Sequence, residues 1–289
     1  MPDTRVIHFL SDGFRIEADL YLPATAPGAA AAPLPAILLC HGFSGVRSEL
    51  LPLYAAHFVA AGYAVLAPDF RGFGGSEGVR GLVDPFAQIE DLRSALTWLE
   101  LQPGIDPARL GVWGTSNGGA HIVTLAGVDS RVKCAVGQVG YADGRTLILA
   151  HKSPEAQAAL LDLFHQDRVR RLTHGRGGTT SVLDLVASAQ SRRFMAAAGA
   201  TEFQVAIQSG EIALRYRPRD VAGDISCALL LMGAEQDDLC PMDAYRALLD
   251  QARGPKKWRS FACGHYDLYT PEGIAETAAE AIAWYGAHL

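Results

Sequence analysis

Residues 110 to 119 read LGVWGTSNGG, an apolar run that passes directly into a glycine-bracketed serine and asparagine. Leu110 to Trp113 suit a strand buried on both faces, and Gly118 to Ala126 carries a helical pattern, so the serine stands at a strand-to-helix junction. Gly114, Ser116 and Gly118 form GxSxG, which in that context marks a sharp turn exposing the serine hydroxyl. Flanking side chains would collide with the neighbouring strand and helix, and glycines remove the collision. The Asn117 amide then opens a helix beside the hydroxyl, where it can stabilise an oxyanion. Asn117 is the only asparagine in the chain, and asparagine tolerates the backbone angles of a tight turn. The bland alternative is a helix capped by Ser116, with glycines that only permit close packing.

Working outward, "VIHF" and "RIEADLYL" flank Ser11-Asp12-Gly13 and predict an antiparallel hairpin. "AILLC" (36 to 40), "AVLAP" (64 to 68), "LGVW" (110 to 113) and "CAVGQV" (134 to 139) read as buried strands, separated by helical patterns at 49 to 61, 85 to 101 and 118 to 126. The rhythm resumes with "CALLLM" (227 to 232), a helix from Met242 to Ala252, strand "WRSFA" (258 to 262) and a helix from Pro271 to His288. Strand followed by helix, repeated, predicts an α/β fold with a mostly parallel sheet covered on both faces. The interruption is read as a helical cap, giving a core of residues 1 to 144 and 226 to 289 around an insertion of 145 to 225. Two helices are expected in it, one from Ser153-Pro154 and one from Thr180 or Ser181, joined by a pliable "THGRGG".

With 289 residues and 49% hydrophobic content, the chain can bury a large core. A net charge of -6 excludes a basic surface for nucleic acid, and no apolar run approaches the roughly 18 residues of a membrane span. The N-terminus lacks the apolar stretch of a secretory signal, and "PATAPGAAAAPLP" reads as an exposed loop. Five scattered cysteines without CxxC spacing fit buried thiols in a reducing, cytoplasmic setting. No cofactor or metal is expected. The partner is a small-molecule substrate, with a homodimer left open.

A serine hydroxyl needs a base. His265, in the glycine-flanked loop "ACGHYDLY" after the last strand, is the best placed of nine histidines; His151 and His174 fall in the insertion, within reach of a substrate. The base needs a carboxylate to hold its tautomer, and "LLLMGAEQDDLCP" offers Asp237, with Asp238 as runner-up. Asp267 lies awkwardly close to His265 in sequence, and Asp69 and Arg71 are read as braces for their loop. The order Ser116, Asp237, His265 is that of α/β-hydrolases.

The motifs "HGFSG", "APDFRGFGGSEG", "GTSNGG", "GAEQDDLCP" and "GHYDLY" resemble those of α/β-hydrolase fold serine hydrolases, in the loose group of dienelactone hydrolases, acetyl xylan esterases and X-Pro dipeptidyl-peptidases. The resemblance implies an eight-stranded sheet and an oxyanion hole formed by the backbone amides of Asn117 and Phe43. It also implies hydrolysis of a carboxylic ester through an acyl-enzyme. A thioesterase, an acyltransferase or a C-C bond hydrolase would use the same three residues; a receptor on this fold would not need them. Leu160, Leu161 and Phe164, with Val182, Leu185, Val186 and Phe194, form an apolar face expected to meet a partly apolar substrate, and Arg168, Arg170 and Arg171 read as a solvated run.

Overall fold

Eight strands of one sheet carry everything else. They are β1 (Asp3–Ser11), β2 (Phe14–Leu22), β3 (Leu34–Cys40), β4 (Ala64–Pro68), β5 (Ile105–Thr115) and β6 (Val132–Gln138), then β9 (Ala228–Ala234) and β10 (Lys256–Phe261), with β7 (Thr179–Ser181) and β8 (Gln204–Ala206) forming a separate small ribbon. The computed structural model describes residues 3–24, 32–150, 152–186, 188–197, 203–240 and 242–289. Most of the alanine-rich loop and His151 lie outside the described residues.

The sheet order is β1-β2-β4-β3-β5-β6-β9-β10, antiparallel at β1-β2 and β2-β4 and parallel from β4 to β10. The hairpin closes through Asp12 at φ 48 and Gly13 at φ 84, the pair of positive angles that matches strand twist. Residues alternate across the central strands. Ala36, Leu38 and Cys40 face α2 (Pro85–Glu100) and α3 (Asn117–Val128), while Ile37 and Leu39 face α1 (Leu51–Ala60) and α11 (Pro271–His288). Both faces are therefore buried, and this is why these strands are continuously apolar in sequence. Helix starts follow capping chemistry: Asp84 accepts from the Phe86 and Ala87 amides ahead of Pro85, and Thr270 caps α11 ahead of Pro271.

Between β6 and β9 lie α4 (Gly144–Leu149), α5 (Pro154–His174), α6 (Val182–Leu185), α7 (Ala189–Ala197) and α8 (Ile207–Ala213). The second expected helix is broken into α6 and α7. Val186 leaves the helix at φ -125, ψ 88, and a new start is built by Ser188, whose hydroxyl accepts from the Ser191 amide at 3.0 Å. A serine that competes for backbone amides favours such a restart over helix continuation. The "THGRGG" link is pinned rather than pliable: Gly178 donates its amide to buried Asp167 at 2.6 Å. The expected helix after β9 forms as α9 (Met242–Arg246) and α10 (Leu248–Gln251), with a turn at Ala247 between them. Among the described residues, no helix is long and apolar enough to cross a membrane.

The junction after β5 is the tightest point of this architecture. A Cβ on Gly114 would overlap the Gly118 carbonyl, and one on Gly118 would overlap the Cys40 carbonyl and stand 2.7 Å from the His41 carbonyl oxygen. Backbone cannot move aside without breaking the β3-β5 pairing. Gly118→Ala is therefore expected to lower unfolding free energy by about 2 kcal/mol or more. Gly223, with open space around its added Cβ, should accept alanine within about 0.5 kcal/mol. Urea unfolding of the two variants checks the contrast.

Candidate active site

Ser116 occupies the turn with φ 55 and ψ -119, a left-handed conformation that a serine adopts only under constraint. Its amide is tied to the end of β6 by a 2.9 Å bond to the Gln138 carbonyl, and its carbonyl accepts from Ala120. Immediately beyond Gln138, Val139 is held at φ 41, unusual for a β-branched residue. A 2.8 Å bond from its amide to the Met232 carbonyl fixes that strained corner. Two strained residues on adjacent strand ends thus buttress each other through Gln138.

The side chain of Asn117 accounts for the lone asparagine. Its Oδ1 accepts from the buried Tyr141 hydroxyl at 2.6 Å, which orients the amide so that Nδ2 faces His121 Nε2 at 3.1 Å. His121 Nδ1 meets the Tyr216 hydroxyl at 3.0 Å, and that hydroxyl lies 2.7 Å from Thr124 Oγ1. Gln88 Oε1 lies 2.8 Å from the same Nε2. The network staples the first turn of α3 to α2 and to the segment after β6. Sequence reading placed His121 only as a helical residue and gave no sign of these partners.

His265 is buried and follows β10; its Nδ1 donates to Asp237 Oδ2 at 2.7 Å. Asp237 Oδ1 accepts from the Leu239 and Cys240 amides, both at 2.8 Å, so the carboxylate is fixed from both sides. Cys240 completes a trio with Asp237 and His265 whose potential ligand atoms lie within 4.8 Å, but the carboxylate oxygens are already engaged and burial keeps the thiol protonated. The neighbouring acids have other work. Asp238 accepts from the Gln190 amide at 3.1 Å, Glu235 from Ser260, and Asp267 from the Gly264 amide. Of Asp237 and its runner-up Asp238, it is Asp237 that His265 contacts.

The remaining ring nitrogen, His265 Nε2, meets the Tyr269 hydroxyl at 3.3 Å, and that hydroxyl stands 2.9 Å from Thr115 Oγ1. Burial pushes the Tyr269 phenol well above its ordinary range, so it remains a donor. Ser116 and His265 line one cavity without a hydrogen bond between them; among the described residues the Ser116 hydroxyl has no partner. Tyr269 was missed in sequence, where its only signal is its place four residues beyond His265. The Phe43 and Asn117 amides also donate no hydrogen bond to a described residue. Phe43 lies in a tight turn where Gly45 donates to the Gly42 carbonyl and Ser44 sits at φ 57. His41 braces that turn from below: Nδ1 donates to the Gly42 carbonyl at 2.9 Å and Nε2 accepts from the Phe70 amide.

Asp69 and Arg71 point away from the cavity. Asp69 binds the Arg47 amide and guanidinium and the Gly75 amide, while Arg71 grips buried Asp91. The cavity itself is about 600 Å³, a size suited to small molecules. Its walls are Phe43, Val46, Leu50 and Leu53 on one side and Val182, Leu183, Val186, Phe194, Met195 and Phe203 on the other. The first inserted helix does not reach it. Leu160 and Phe164 are buried against α8, where Phe164 covers Gly210, and Leu161 is exposed. Leu185 is buried outside the lining, and His174 is a surface residue bonded to Thr173. Arg168 and Arg171 pair with Glu211, away from the cavity.

The chain is similar to known proteins over most of its length. Residues 12–261 fit the family model for X-Pro dipeptidyl-peptidase (S15 family). An uncharacterized 31.7 kDa protein in the traX-finO intergenic region of Escherichia coli is 34% identical over 262 residues, 88% of this chain and 91% of that one. The quorum-quenching protein AidA of Acinetobacter baumannii is 28% identical over 96% of this chain and 92% of its own. The α/β hydrolase GrgF of Penicillium sp. sh18 superposes with a TM-score of 0.84 at 23% identity, covering 99% of both chains. The chain belongs to the S15 family and is a serine hydrolase of the α/β-hydrolase fold that acts on acyl bonds.

His121 gives the site a pH signature. Burial first, and the neighbouring His41 ring second, take its pKa from an ordinary 6.5 to about 3, and burial lowers His41 as well. The unfolded chain therefore binds protons in mild acid that the folded chain refuses. Stability conferred by the neutral rings is present above the unfolded pKa and is lost as pH falls. Between about pH 6 and about pH 4, unfolding free energy should drop by about 1.4 kcal/mol per pH unit from the His121 ring. Urea midpoints across that range should show a shallower slope for His121→Gln, whatever its absolute stability.

Proposed function

We propose that this S15-family chain is a carboxylesterase-like enzyme in which Ser116 is the nucleophile, His265 the general base and Asp237 the residue that holds the base. The observation carrying this reading is the 2.7 Å bond from His265 Nδ1 to Asp237 Oδ2, which leaves Nε2 as the acceptor on the cavity side shared with Ser116.

The cycle begins when Nε2 exchanges the Tyr269 hydroxyl for that of Ser116. Ser116 Oγ attacks the carbonyl carbon as its proton passes to Nε2. The resulting oxyanion is met by the Phe43 and Asn117 amides, neither of which must give up a protein partner. Collapse expels the alcohol, protonated by His265, and leaves an ester on Ser116. A water then attacks with His265 again as base, and the acid leaves. Asp237 stays ionised and stabilises the imidazolium.

Residues 145 to 225 act as a cap whose α6 and α7 side chains, with Phe203, form the acyl-binding wall. Their apolar character supports a small, partly apolar substrate as the partner. Five free cysteines support a reducing, cytoplasmic setting.

Ser116→Ala should abolish labelling by a fluorophosphonate and lower kcat on p-nitrophenyl esters by at least about 10⁴-fold, and Asp237→Asn by about 10³-fold or more. Running thioesters, amides and a vinylogous diketone beside the esters, with and without an added alcohol acceptor, measures which acyl bond is preferred. Undiminished ester turnover in Ser116→Ala would remove the nucleophile assignment.

A further inference from the structure

A side chain on the inserted segment touches both loops that carry the base and its acid. Gln190, in the first turn of α7, accepts the His265 amide proton on Oε1 at 2.9 Å and donates from Nε2 to the Gln236 carbonyl at 2.6 Å. Its own backbone amide donates to Asp238 at 3.1 Å. The paired register of β9 and β10 ends at Ala234 and Phe261, and two further bonds, Glu235 to the Phe261 carbonyl and Gln236 to the Cys263 carbonyl, both at 2.9 Å, continue it. Beyond these, among the described residues, no backbone bond joins the two loops. The Gln190 amide group is spliced between them, linking the His265 N–H to the Gln236 carbonyl as a missing rung of sheet would.

Gly264 makes room for this. A Cβ there would stand 2.7 Å from both Gln190 Nε2 and Oε1. One turn further along α7, Phe194 stacks on Tyr266 with centroids 4.3 Å apart at 15°, and Tyr266 packs against the His265 ring at 4.9 Å. Phe194 and Met195 are also wall residues of the cavity. The helix that shapes the acyl pocket is thus bonded to the main chain of the base.

We propose that Gln190 is a positioning residue that sets His265 from the inserted segment, so that the acyl wall and the catalytic base move as one body. This rests on the reading of His265 as the base. A lid hinging freely over the core would require α7 to release the His265 amide. Here, instead, α7 is part of the frame that aligns the ring. His265 is faced by Asp237, by the Tyr266 and Tyr269 rings, and by the nearby Cys240 thiol. None of these holds its backbone amide, so no other described side chain duplicates the Gln190 contact.

The test uses the full chain with p-nitrophenyl acetate and p-nitrophenyl octanoate, together with the rate of fluorophosphonate labelling. Gln190→Ala should lose about 10-fold to 100-fold in kcat on both esters, because a base displaced by a fraction of an ångström fails equally for short and long acyl groups. The KM for acetate should stay unchanged and labelling should slow in parallel. Gln190→Glu keeps the acceptor for the His265 amide and should recover part of the loss, which decides the matter should Gln190→Ala not fold. Arg193→Ala, an exposed change on the same helix, should match the parent. A loss confined to the KM for octanoate would mean that Gln190 merely packs the wall, and undiminished labelling in Gln190→Ala would equally overturn the proposal. Absence of labelling in the unaltered chain would instead overturn the assignment of Ser116 and His265, and this proposal with it.

Discussion

Three stretches of backbone approach one another at the end of β5 more closely than any side chain would allow, and the rest of the site is arranged around that approach. The Gly118 position lies against the Cys40 and His41 carbonyls, and Gly119 would place a Cβ 2.6 Å from the Gln138 carbonyl. In this space the chain can turn from strand to helix only with Ser116 at positive φ. Such a conformation costs on the order of 1–3 kcal/mol and persists only where neighbours over-determine it. Here the neighbours are the Gln138 carbonyl, the first-turn bond from Ala120 to Ser116, and the Asn117 side chain held by Tyr141 and His121. A single asparagine serves as hinge and staple together, which answers why the chain keeps one there and nowhere else.

Parallel strands deliver loops to one edge, and that polarity turns separate sequence motifs into one site. The loops after β3, β5, β9 and β10 supply Phe43, Ser116, Asp237 and His265 respectively. Tyr269 adds a competing partner for the His265 ring, since its hydroxyl is poised between Nε2 and Thr115. At 3.3 Å the bond to Nε2 is the weaker of the two, and Thr115 Oγ1 is a second acceptor within reach of the same hydroxyl hydrogen. Turning the Tyr269 hydroxyl hydrogen from Nε2 toward Thr115 Oγ1 would leave Nε2 open to the cavity.

The sheet and its helices were legible because burial on both faces writes continuous apolar runs, and because Asp84-Pro85, Ser153-Pro154 and Thr270-Pro271 punctuate helix starts. Ser116 was legible through steric demand, which leaves glycines in the sequence. What sequence hid were contacts between distant side chains. Nothing in "SVLDLVASAQSRRF" separates one long amphipathic helix from two short ones, since both bury Val182 and Leu185; the decision lies with Ser188 and Ser191 and with the loops that Gln190 must reach. The Leu160 and Phe164 face looked ready for a substrate, but its partner is α8, where Gly210 admits the Phe164 ring. A hydrophobic stripe states that something covers it and leaves open what does.

That turning away of α5 has a consequence for selectivity. The arginines of α5 leave with it, and Arg171 is held by Asp167 and Glu211. Among the described residues lining the cavity, none is lysine or arginine, and the one carboxylate is Glu49, whose pKa burial raises. Apolar walls distinguish acyl chains gradually: each methylene buried contributes about 0.8 kcal/mol, roughly a fourfold preference per carbon. Charge is treated differently, because an anion entering such walls gives up hydration and finds no cation in return. Under the proposed function, neutral acyl groups are therefore expected to be graded by length and shape, with the steeper discrimination falling on net charge, because the arginines of α5 lie away from the cavity.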